Sequence, residues 1–78
     1  MRNKNDVTIV ANTKELNRLR INRNIWEVKE LARLVGYSLT HTYEVLRGVR
    51  PVSLACALSY SQLFGVDVSE IFIFYEFK

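Results

Sequence analysis

The sequence predicts a mainly α domain of five helices with a short β-strand near each end. Three observations carry this prediction. Apolar residues recur at helical spacing behind capping residues, and these runs stop at Gly36, Gly48 and Gly65. Val7 to Ala11 is short, β-branched and apolar. From Ile71 onward, aromatic and β-branched residues alternate with period two, which predicts a strand over about 73–77. The chain has 78 residues, 49% of them hydrophobic and 24% charged, which fits one compact domain over 1–78. Nine aromatic residues supply a thin core, so oligomerisation is an expectation at this size.

In chain order, a strand over about 7–11 leads to Asn12, which with Glu15 matches a capping box. The first helix then runs from Thr13 to about Arg23, with Leu16 and Leu19 inward and Lys14 and Arg18 outward. Asn22-Arg23-Asn24 breaks it. A second helix ends near Val35, where Gly36 provides a left-handed stop. Trp26 stands five residues before Leu31, the spacing of a hydrophobic staple if Glu27 is the N-cap; Asn24 with Glu27 is the rival capping box. The tryptophan is therefore expected in the core or in the staple. Ser38 caps a third helix to about Leu46, and Pro51 pushes Arg50 out of helical geometry. Ser53 caps a fourth, whose inward face is expected to hold Leu54, Ala57, Leu58, Ser61 and Phe64. Asp67 or Ser69 starts a last helical turn through Ile71.

Composition also excludes. One cysteine precludes an internal disulfide, and one cysteine with one histidine cannot make a four-ligand zinc site. No cofactor and no metal is expected, and Cys56 reads as a small residue near the core. No acid–base pair, nucleophile set or phosphate loop is present, so the chain is not expected to be an enzyme. The longest apolar run, Ile71 to Tyr75, is too short to span a membrane. Arg2, Lys4 and Asp6 precede no apolar segment, so no signal peptide and a cytoplasmic location are expected. Between Lys14 and Arg50 lie eight basic and four acidic residues, a net charge of +4; from Pro51 on the net charge is −2. That asymmetry suits a polyanionic partner.

The most informative stretch is 28–46. Two short helices are joined by a few residues containing Gly36. Ala32 is small enough for a close helix crossing, and Gly36 supplies the positive φ of a sharp turn. Leu31, Val35, Tyr37 and Val45 close the inner face. This is the logic of a helix-turn-helix unit, whose second helix enters the DNA major groove. Leu31-Ala32, Gly36-Tyr37-Ser38, Arg47-Gly48, the Ser53 helix, Gly65-Val66 and Ile71-Phe72, in this order and spacing, resemble the Cro-and-repressor (Xre-type) helix-turn-helix domain over about 16–72. The resemblance implies a five-helix lambda-repressor-like fold, DNA binding through the third helix, and dimers on near-palindromic operators.

The chain departs from that pattern at several positions. Ile21 and Leu46 stand where the family has a buried Arg–Glu pair. Losing both partners together avoids the roughly 3–5 kcal/mol cost of stranding one buried charge. Glu27 and Val28 replace the residues that touch phosphate at the start of the second helix. Thr42 occupies a usually larger apolar position, its methyl packing and its hydroxyl bonding back to the helix. Pro51 falls one residue early, with Val52 in its usual place.

The resemblance places base contacts at Ser38, Leu39, Thr40, His41, Tyr43 and Glu44. Leu39 suits a thymine methyl, Glu44 a cytosine amino group, and Ser38 and Thr40 either base or phosphate. Arg47 and Arg50, flanking Gly48, and Arg33 on the second helix are expected on the DNA backbone. The apolar C-terminal strand needs a covering and a pairing partner. Ile73, Phe74, Tyr75 and Phe77 are therefore assigned to strand pairing, with Val7 to Ala11 as partner; two copies joining across a dimer axis is the favoured arrangement, and one intrachain ribbon packed on a monomer is the alternative. The functional expectation is a sequence-specific transcriptional regulator, a repressor of phage or mobile-element type, binding double-stranded DNA as a homodimer. The alternative is a protein-interaction module that uses the recognition face or the C-terminal strand.

Overall fold

The structure, a computed structural model, describes residues 7–76. Its elements run β1 (Val7–Ala11), α1 (Thr13–Asn22), α2 (Val28–Val35), α3 (Leu39–Leu46), α4 (Leu54–Phe64), α5 (Val68–Ile71) and β2 (Phe72–Glu76). Among the described residues the chain is thus mainly helical, with one two-stranded antiparallel sheet.

Short polar side chains start most of the helices. Asn12 accepts from the Glu15 amide at 3.4 Å, Ser38 from His41 at 3.1 Å, and Ser53 from Cys56 at 3.1 Å. Each satisfies a donor that the first helical turn leaves free. The box expected at Asn12 forms only by half, because the Glu15 carboxylate pairs with Arg18. A full capping box forms at α5 instead, where Asp67 accepts from Ser69 and Glu70 reaches back to the Asp67 amide. Gly36 and Gly65 end α2 and α4 in left-handed geometry, at φ of 84° and 66°. Gly48, at φ 72°, also fits closely: a Cβ there would lie 2.8 Å from Thr13 Cγ2.

The helices enclose a core of Leu16, Leu31, Val45, Ala57, Tyr60 and Ile71, to which Phe72 and Ile9 bring the ribbon. The Tyr60 and Phe72 rings meet edge to face at 5.6 Å. The face of α4 is rotated from the expected one. Cys56, Ala57, Tyr60 and Phe64 are buried, whereas Leu54 and Leu58 are exposed and Ser61 is half-buried. Both stripes satisfy the helical period; the inward one sets small Cys56 and Ala57 beside the bulky Tyr60, which packs on Phe72.

The ribbon is formed within the chain, Val7 opposite Glu76 through Ala11 opposite Phe72. The second strand begins one residue earlier than expected, and Phe77 lies outside the described residues. Beyond β1, on the side away from β2, Val52 donates its amide to the Ile9 carbonyl at 2.8 Å. That single bridge occupies one edge of β1, so the longer open edge belongs to β2.

Two further expectations are corrected. Trp26 is neither core nor staple: it is 64% exposed. Glu27 does take the N-cap position of α2, without a side-chain hydrogen bond, and Asn24 sits at φ 60°. The buried residue is Ile25, one position earlier, so the chain turns the indole outward. Ile21 is also exposed, at 41%, while Leu46 is buried, so no buried apolar pair stands where the family places its ion pair.

Candidate nucleic-acid interface

The α2–turn–α3 unit positions one helix with a well-anchored inner side. Thr42, Val45 and Leu46 of α3 are buried, and Leu31, Ala32 and Val35 of α2 are buried too. The Thr42 hydroxyl donates to the Ser38 carbonyl at 2.8 Å, so a polar group enters the core without an unmet donor. The outward side carries Leu39 (45% exposed), Thr40 and Tyr43 (49% exposed). These three residues, at spacings of one and three, lie open along the helix.

The remaining residues expected to read bases are engaged elsewhere. The Ser38 side chain caps α3. His41 stacks on Tyr37, the ring centroids 4.7 Å apart and 20° from parallel, with its Nδ1 buried and without a partner among the described residues. Burial pushes the His41 imidazole below its ordinary value; Arg50 adds to this and Glu44 opposes it. Glu44 is half-buried and accepts from Arg50 Nη1 at 2.6 Å. Burial pushes the Cys56 thiol up, away from thiolate chemistry.

The basic residues sort by what they already hold. Arg33 pairs with Glu30 at 2.6 Å, Arg18 with Glu15, and Arg50 with Glu44. Arg20 donates to the carbonyls of Ile25 and Trp26, at 2.9 and 2.8 Å. Arg23 donates to Leu63 and Phe64 at the end of α4, where a cation complements the helix dipole. Both arginines therefore hold the fold. Arg47 follows α3 directly and is exposed, as is Lys29 on α2. Among the expected backbone contacts, Arg47 and Arg50 stand at the end of α3, and Arg33 stands on α2.

No family model matches this chain, and no curated protein or solved structure matches it. Among the described residues no group of three His, Cys, Asp or Glu side chains could hold a metal ion, and no helix is long and apolar enough to cross a membrane.

Sequence reasoning missed one feature of this face. Trp26 and Glu27, leading into α2, and Val28 and Lys29 at its start form an open groove of ≈ 320 Å³ with Leu39 and Tyr43 of α3. The signal was Ile25: a second large apolar residue in the irregular stretch before α2 was free to take the core position. On the ribbon, Ile73, Phe74 and Tyr75 pair with Val10, Ile9 and Thr8, and all three are partly open to solvent.

Proposed function

We propose that this chain is a sequence-specific DNA-binding regulator of transcription, a repressor of phage or mobile-element type with the Cro-and-repressor fold. It docks α3 in the major groove of a near-palindromic operator. The observation that carries the reading is the open stripe of Leu39, Thr40 and Tyr43 on a helix fixed from behind by Thr42, Val45 and Leu46, with Arg47 just beyond its end. Apolar and hydroxyl side chains on such a stripe match thymine methyls and base-edge acceptors, and the arginine matches phosphate. The protein acts as a homodimer, the open edges of two β2 strands meeting so that each partly exposed Ile73, Phe74 and Tyr75 gains cover.

Selection from a random duplex pool, followed by a salt titration of the winning duplex, tests this. The expected result is a two-fold site with half-sites about one helical turn, roughly 34 Å, apart. Affinity should fall steeply with salt as counterions are released. A pool without enrichment, bound only weakly at low salt, would overturn the reading. The second reading is favoured by the ribbon: its partly exposed residues and open edge suit strand addition to a partner protein's sheet. Binding through that edge would be insensitive to salt and abolished by proline at Phe74, whose amide faces away from β1.

A further inference from the structure

Between the start of α2 and the outer side of α3 lies a groove that extends the open stripe of Leu39 and Tyr43. One wall is Trp26 with Val28; the other is Leu39 and Tyr43, one helical turn apart on α3. Three of these four are large apolar or aromatic side chains at 45–64% exposure, which costs free energy unless a ligand covers them. Two charged residues complete the lining, Glu27 and Lys29. A carboxylate in an apolar groove repels phosphate, so the DNA backbone is the wrong occupant of the groove itself.

We infer that this groove seats the methyl edge of a thymine step in duplex DNA, with Lys29 at its rim for the flanking phosphate. The inference rests on the DNA-binding reading and adds a specificity-determining surface to it. Two observations select this occupant over an apolar protein side chain. The groove shares Leu39 and Tyr43 with the stripe proposed to face bases, so a duplex docked on α3 covers it without a second binding event. The charge of the surrounding stretch also favours a polyanion: between Lys14 and Arg50 eight basic residues stand against four acidic ones, a net charge of +4. The 5-methyl group of thymine is the one large apolar group that B-DNA presents in its major groove, and ≈ 320 Å³ gives room for more than one.

Trp26 is the single tryptophan of the chain, so its emission reports on the groove directly. Binding of the selected duplex is followed in parallel by anisotropy of a labelled DNA end and by Trp26 emission. Each thymine is then replaced in turn by uracil, which removes only the methyl group. The expected result is a change in emission that saturates with the anisotropy. At one or two positions the uracil swap weakens binding about four-fold, the value of one buried methyl-sized group. In Trp26→Ala the same swaps cost less than about two-fold. Unchanged emission on a duplex that binds normally, or swaps that cost the same in Trp26→Ala, overturns the groove assignment and leaves DNA binding intact. Absence of specific duplex binding overturns both, and a protein partner then becomes the occupant to seek. The emission and uracil measurements use the wild-type chain, so the test stands even if the alanine variant folds poorly.

Discussion

With Glu44 Oε1 2.6 Å from Arg50 Nη1, each of these residues masks the other's charge. The pair is open to solvent over part of both side chains, so it adds little to stability. Its effect falls on the DNA-binding reading. Glu44→Gln should release Arg50 for phosphate, raise affinity for unselected duplex, and steepen the logarithmic salt slope by up to about 0.9. Adding Arg50→Ala should cancel the gain; a double variant that kept it would place the effect elsewhere. His41 gives a second prediction. Its folded value lies below its unfolded one, so its contribution to stability is complete above about pH 6.5 and is lost as pH falls through the folded value. The carboxylates of Glu15 and Asp67 are also held low, by Arg18 and by Ser69, but their losses begin only at more acidic pH. Denaturant unfolding between pH 7 and 5 should therefore show a stability decline that His41→Phe, which keeps an aromatic ring on Tyr37, removes.

The elements differ in how readily the chain announces them. Gly48 and Gly36 both lie in the left-handed region, but only Gly48 faces another residue closely. Gly36→Ala should cost the backbone term alone, roughly 1–2 kcal/mol. Gly48→Ala adds the 2.8 Å approach to Thr13 Cγ2 and should lower the melting temperature further. Equal losses would mean that Thr13 yields freely. Such stops were legible in the sequence because they rest on one residue's dihedral preference. So were the starts at Asn12, Ser38, Ser53 and Asp67, which rest on one side chain bonding its own helix. The inward face of α4 was not legible. Two stripes shared one period, and the choice lay with Phe72, the first residue of β2, whose ring meets Tyr60. The same holds at the site. The open stripe on α3 followed from local pattern, whereas Trp26 depended on which of two adjacent apolar residues the tertiary core accepted, and the core took Ile25.

Across the whole molecule the ribbon ties chain segments that lie far apart in sequence. Phe72 is 1% exposed and anchors the ribbon to Tyr60; Phe74, opposite Ile9, is 41% exposed. Phe72→Ala should cost about 3–5 kcal/mol, a large share of what a domain this small has, while Phe74→Ala costs much less. Denaturant midpoints would check the order, and a reversal would mean that the ribbon's outer portion, not its root, secures the fold. The ribbon also has a kinetic meaning. Its pairs join residues 61 apart at Ala11–Phe72 and 69 apart at Val7–Glu76, whereas α2 and α3 are near neighbours. Closing so long a loop carries an entropic cost that local helix pairs avoid. During synthesis, β1 leaves the ribosome before the described helices but waits for β2, which follows them, before it can pair. The nascent chain assembles its α2–α3 unit first and spends that interval with an apolar strand unprotected, the stage at which aggregation or capture by a chaperone competes with folding.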